Sequence, residues 1–345
     1  MNKSEKINRI KNVKVLITHG GIFHADDVMS TALLMISHLI TNSRLTMFER
    51  IPYIKSSGLV AYDDEKEWAI KVYEKYTADS YSNCVPLLIR TNNLEAVRDA
   101  IVENGCEENN IIVYDVGYGE FDHHQKDAEV RENGVKYAAF GLLFREFGEI
   151  LFSNKDDQDT FDRSVCQPID IADNGCGKNM ITSFINSFRP NWDECYSMEY
   201  AFLNAYKIAY TYIIQMRKQL LAVRKAITEL EQSMVVETDG GKILLLDEYM
   251  PHNDWCYNHG ISAAIYPSNR GGYACSVISV PGGDNTCRFP MSWRGLTSDK
   301  LVAETQIDGM RFCHNSGFMI SADTQIECIE ATNYLEPYTP NITEK

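Results

Sequence analysis

Four short segments in the first half of the chain set histidine and aspartate at turn-like positions. They are His19-Gly-Gly-Ile-Phe-His24-Ala-Asp26-Asp27, then Asp115, then Asp122-His123-His124-Gln125, then Asp170-Ile-Ala-Asp173-Asn174-Gly175. Each alone says little, because an aspartate at a strand end usually caps a helix or forms a turn. Together they gather four of the eight histidines beside several carboxylates. A mixed imidazole and carboxylate set without thiolates suits Mn²⁺ or Mg²⁺, with Zn²⁺ or Co²⁺ as alternatives. Two such cations held about 3.5–4 Å apart clamp a phosphoryl oxygen and supply hydroxide at neutral pH. The ten cysteines form no C-x-x-C pair and read as reduced packing thiols rather than a zinc site.

Elements must bring these segments together. Val13-Lys-Val-Leu-Ile-Thr18 reads as a strand that ends in His19-Gly-Gly21, and a Gly- and Pro-free stretch from 27 to 40 reads as a helix. Ile111-Ile-Val-Tyr114 reads as a second buried strand with Asp115 directly after it, and Leu87-Leu-Ile89 as another. Apolar runs alternating with helical stretches predict an α/β fold with a largely parallel sheet. From Met198 to Met234 apolar residues recur in alternating steps of four and three, from Phe202 and Tyr206 to Leu230 and Met234. That spacing predicts one long helix of roughly 55 Å. Such a helix either connects two domains or pairs across a dimer interface. Asp239-Gly-Gly241 opens a strand-rich region with Ile243-Leu-Leu-Leu246 and Ala274–Val280. The expected organisation is a catalytic domain over 1–195, a connecting helix over 196–236, and a smaller α+β domain over 237–345.

A length of 345 residues suits about two domains. The net charge of −15 argues against tight, nonspecific binding of long duplexes, although bound metal ions can still receive a small phosphate substrate. No apolar run approaches the ~18 residues of a membrane span. The N-terminal stretch lacks the apolar core of a secretory signal and carries Glu5, so an intracellular protein is expected, cytoplasmic or nuclear rather than mitochondrial.

The four segments resemble the motifs of the DHH phosphoesterase superfamily. More closely, they resemble the melanocyte-proliferating-gene exonuclease family, a divergent DHH-like branch. The likeness runs through Thr18–Asp27, Asp115-Val-Gly117, Phe121–Gln125 and Asp170–Gly175. It resumes at Arg288-Phe-Pro290, Trp293-Arg-Gly-Leu296 and Phe312-Cys-His-Asn-Ser-Gly-Phe318. Three features depart from the pattern. His24 stands where the superfamily usually has a carboxylate, residues 51–85 look like an insertion, and the loop from Asp115 to Asp122 is short.

The resemblance implies a 3′-to-5′ exonuclease acting on RNA, with short oligonucleotides or a small phosphoanhydride as alternative substrates. A non-catalytic nucleotide or metal sensor on the same fold is the contrasting reading. It further implies two Mn²⁺ held by His19, His24, Asp26, Asp115, His123 and Asp173. In that scheme His19 and His24 mainly serve one ion and His123 the other, Asp122 orients His123, and His124 contacts phosphate. Asp27 is either a site residue or only a helix-start carboxylate. Arg288, Arg294, His314 and the Gly317 backbone are expected phosphate contacts, while Trp293 and Phe318 either stack a base or pack in the core. His38, His252 and His259 read as structural, and a homo-oligomer is possible through the long helix.

Overall fold

Val15, Leu16 and Ile17 carry apolar side chains to both faces of a strand, so that strand belongs inside a doubly covered sheet. It forms β1 (Val15–His19), which is buried through Thr18. The computed structural model describes residues 1–43, 56–57, 65–78 and 85–338. The expected insertion over 51–85 is therefore described only at β2 (Ser56–Ser57), over 65–78, which includes α3 (Glu65–Thr77), and at Val85; the rest lies outside the described residues. With β3 (Leu87–Thr91) and β4 (Ile111–Val113), these strands make an all-parallel sheet of order β2-β3-β1-β4. Ile17 pairs with Ile89 on one side and Val113 on the other. His19 and Asp115 therefore leave neighbouring strands at the same carboxyl edge, where parallel sheets present functional groups.

One face is covered by α3 and α4 (Leu94–Glu103), whose Trp68, Tyr73, Val97 and Ile101 pack on Val15, Ile17, Leu87 and Ile89. Short α1 (Lys3–Asn12) precedes β1, and α2 (Ala25–Thr41) follows it. Every residue of α2 from Ala25 to Leu39 is buried, as expected of a helix packed on several sides. Its neighbours include α5 (Ala139–Leu151), α7 (Gln167–Asp173) and α8 (Met180–Asn186). Between α5 and α7 run α6 (Lys155–Phe161) and a π-helical turn, Asp162–Cys166.

The chain divides into two compact units, Met1–Lys218 and Gln219–Lys345. The division falls inside α9 (Met198–Leu230). Its stripe is buried at Phe202, Tyr206, Ala209 and Ile213 and again at Leu230, while Val223 is exposed. The predicted helix extends too far, because Met234 belongs to β5 (Met234–Thr238), a strand carrying the β-branched pair Val235-Val236. Its hairpin partner is β6 (Gly241–Leu245).

The second unit continues with α10 (Asn253–Asn258), β7 (Ile261–Pro267), β8 (Tyr273–Val277), β9 (Cys287–Arg288), α11 (Ser298–Thr305), β10 (Met310–Cys313), β11 (Met319–Ala322), α12 (Gln325–Thr332) and β12 (Glu336–Pro337). Its main sheet has the order β10-β11-β8-β7-β6-β5 and is antiparallel except where β6 meets β7. Among the described residues no helix is long and apolar enough to cross a membrane.

Candidate metal centre

His19 closes β1, and its Nδ1 donates to the Gly20 carbonyl at 2.9 Å. In the neutral ring this leaves the lone pair on Nε2, which stands 3.1 Å from Asp27 Oδ2 and 3.3 Å from Asp115 Oδ2. Asp115 reaches that position from β4 through a left-handed backbone, φ +56°, held by its N–H donating to the Phe121 carbonyl at 2.9 Å. A non-glycine residue in that conformation is strained, and such strain gathers at functional sites.

The first turn of α2 supplies two buried carboxylates, Asp26 and Asp27. Asp27 Oδ1 accepts the backbone N–H of His24 at 3.0 Å, so this residue caps the helix and faces His19 at once. Both Asp26 oxygens are buried without a hydrogen-bond partner among the described residues. His123 Nε2 stands 3.2 Å from Asp173 Oδ2, 3.4 Å from Asp115 Oδ1 and 3.8 Å from Asp26 Oδ2.

Asp173 lies at the end of α7, which a buried clamp anchors. Asp170 accepts the Gly141 N–H at 3.1 Å and sits 2.8 Å from Arg131 Nη2. Asn174 Nδ2 donates to the Tyr137 carbonyl at 3.1 Å.

Charge is crowded here. Burial pushes the Asp26 carboxyl well up, and the neighbouring Asp115 and Asp173 charges push it further. Burial also raises Asp27, against His19, which lowers it. At Asp115 burial is outweighed by His123 and His19, which bring the carboxyl down to about 2. Burial alone would lower the imidazoles, yet the facing carboxylates raise His19 to about 10 and His123 to about 10. In the metal-free protein protons thus balance part of the charge that cations would balance better.

The donor atoms form three close sets: His19, Asp27 and Asp115; His24, Asp26 and Asp173; Asp115, His123 and His124. Within each set the candidate atoms lie within 4.8 Å of one another. Unpaired buried carboxylate oxygens beside imidazole nitrogens, without thiolate, fit divalent cations. The grouping differs from the expected one in two respects. His19 and His24 fall in different sets, and Asp27, left open by the sequence, stands against His19. Asp122 also differs: its Oδ1 takes His124 Nδ1 at 2.6 Å and the His124 N–H at 3.1 Å, so it orients His124 rather than His123. An aspartate in a turn reaches the residue two positions on, which explains the choice. Beside these groups a cleft of about 370 Å³ is lined by Ile22, Val116, Gly117 and Tyr118. Tyr118 is 73% exposed, a surface aromatic at the site that sequence reasoning passed over.

The chain matches the MYG1 exonuclease family, described as an uncharacterised protein family (UPF0160), over residues 15–333. It belongs to this family. The MYG1 protein of Schizosaccharomyces pombe is 23% identical over 64% of this chain and 81% of its own length. The Saccharomyces cerevisiae MYG1 protein is 20% identical over 92% of this chain and 96% of its own. The MYG1 protein of Chlamydia trachomatis serovar D is 25% identical over 75% and 92% respectively. No solved structure matches the chain significantly.

In this MYG1-family chain the second unit brings three of the four expected phosphate contacts into one loop cluster. Gly317 has φ +70°, and a side chain there would meet Arg294 Nε at 2.6 Å. Arg294 Nε donates to the Phe289 carbonyl at 2.9 Å, and the Phe289 N–H donates to Gly317 at 2.9 Å. His314 Nδ1 accepts the Ser316 N–H at 3.1 Å, which leaves Nε2 as the donor of the neutral ring. Arg288 instead lays its guanidinium over Tyr338, 3.4 Å from the ring centre. Trp293 is buried and stacks on Phe289, so it packs in the core.

Proposed function

We propose that this chain is a metal-dependent phosphodiester hydrolase that removes nucleotides from the 3′ end of short, single-stranded RNA. The observation that carries the reading is the pair of buried, unpartnered Asp26 oxygens facing Asp115, Asp173 and His123. So many carboxylates turned inward cost stability unless cations fill the space between them.

His19, Asp27 and Asp115 would hold one cation and His24, Asp26 and Asp173 a second, with His123 as a further ligand beside Asp115 and Asp173. The pair, best supplied as Mn²⁺, would polarise the phosphoryl oxygen and lower the pKa of the attacking water. Asp122 fixes His124 through Nδ1, and to that imidazole, 55% exposed, we assign a contact with the scissile phosphate. Arg294, His314 and the Gly317 backbone are the proposed phosphate contacts, and Arg288 adds positive charge nearby in the chain. The preference for RNA and for the 3′ end rests on the family likeness. The preference for short strands rests on the net charge of −15, which repels a long backbone.

A hydrolysis screen tests this with 3′- or 5′-labelled RNA of graded length, dinucleotides, pyrophosphate and a long duplex, each with and without Mn²⁺. The expected result is Mn²⁺-dependent release of mononucleotides from the 3′ end of short strands. Activity that survives thorough chelation, or preference for the long duplex, overturns it.

A further inference from the structure

The second unit contains a cavity of about 580 Å³, within the size range of small-ligand sites. Tyr249, His252, Trp255, His259, Tyr266 and Ser276 line it, together with Val223 and Ile227 of α9. Aromatic faces dominate. Trp255 and His259 stack at 4.0 Å and 21°, and Tyr249 meets Tyr266 edge-on at 5.0 Å. Tyr249 and His259 are exposed at the rim, so their rings are accessible.

Polar groups sit among these rings. His252 is only 9% exposed. Its Nδ1 donates to the Met250 carbonyl at 2.8 Å, which leaves Nε2 to accept from the Ser276 hydroxyl at 3.3 Å. Tyr266 lines the same wall as Ser276. Burial pushes the His252 imidazole down, which keeps the ring neutral. Among the described lining residues the only charged one is Asp254, and none is lysine or arginine. A wall that is flat, aromatic and without positive charge rejects phosphate and accepts an uncharged ring with hydrogen-bonding edges. Nucleobases stack on such side chains while their edges are read by neutral donors and acceptors.

We propose that this cavity is a nucleobase-binding pocket, in which Tyr249, Trp255 and His259 stack the ring while the Ser276 hydroxyl, oriented by His252, and the Tyr266 hydroxyl read its edge. The inference rests on the nucleic-acid reading above only for what the bound base belongs to. The pocket is built wholly from residues 223–277, so binding of a free nucleoside does not require the metal centre.

Isothermal titration of the full chain in excess chelator, with adenosine, guanosine, cytidine and uridine, reads this directly. At least one nucleoside should bind saturably, while ribose 5-phosphate does not. The same affinity is expected in Asp115→Asn, and a loss of at least tenfold in Tyr249→Ala/His259→Ala. Both rim residues are exposed, so that variant should stay folded, which its cooperative thermal melt checks. No saturable nucleoside binding, equal binding of ribose 5-phosphate, or a rim variant that binds like wild type overturns the proposal. Nucleoside binding without RNA hydrolysis under any condition would instead overturn the hydrolase reading and leave the pocket standing.

Discussion

Asp26 is the side chain on which the proposed metal centre can be tested most directly. Its side-chain oxygens are fully buried, and the neighbouring Asp115 and Asp173 carboxylates repel its charge. Replacing it with the neutral isostere Asn removes a proposed cation ligand without removing volume. We expect metal-free Asp26→Asn to melt at or above the wild-type temperature. At a hundredfold excess of Mn²⁺ over its Kd the wild type should gain about 2.7 kcal/mol for each ion bound, and the variant should lose most of that gain. Thermal melts with and without Mn²⁺ check this; an equal metal-induced shift in both proteins would remove Asp26 from the centre. The types and spacing of these residues were readable from the chain, but the direction of each side chain was not. Asp27 turns to His19 because it caps α2 through its other oxygen, and Asp122 turns to His124 because its turn closes two residues on.

Elements decide which of those side chains meet. The parallel sheet was legible, because short aliphatic runs followed by glycine or aspartate mark strands whose ends carry function, and β1 and β4 deliver His19 and Asp115 side by side. The support of α7 was not legible. Arg131 lies 39 positions before Asp170 and reads as an ordinary surface charge, yet it is buried against Asp170 and also bonds Asp162 at 2.8 Å. Gly141 of α5 completes the clamp through its N–H and through its closeness. A methyl group there would stand 1.9 Å from Asp170 Oδ2 and 2.6 Å from Arg131 Nη2. Gly141→Ala must therefore push α5 away from α7, at a cost of about 1–3 kcal/mol for overpacking. Asp173 rides on α7, so Mn²⁺ affinity should fall in the same variant. Urea unfolding with a parallel metal titration measures both effects. A change in stability within ~0.5 kcal/mol would mean that the clamp gives way locally.

The whole chain joins two units through one helix, and every expected metal ligand belongs to Met1–Lys218. The apolar stripe of α9 foresaw a long helix but not where its burial lapses. Spacing records apolar residues, not which of them find a partner: Phe202 to Ile213 are covered, Val223 is not, and Leu230 is covered again. A ligand stabilises only those parts whose opening releases it. At a hundredfold excess over Kd, Mn²⁺ should therefore slow amide exchange about a hundredfold for each ion bound in segments that open with the first unit. Those segments are β1, β4 and α7. Exchange in β6, β7, β8 and β11 of the second unit should stay unchanged. The long helix is the sensitive reporter, since its turns around Phe202 and Tyr206 should slow while those around Leu230 do not. Hydrogen exchange read by mass spectrometry, with Ca²⁺ as a control for ionic strength, resolves these segments. Equal slowing in both units would show that they open as one cooperative body, and no slowing in β1, β4 and α7 would remove the metal centre itself.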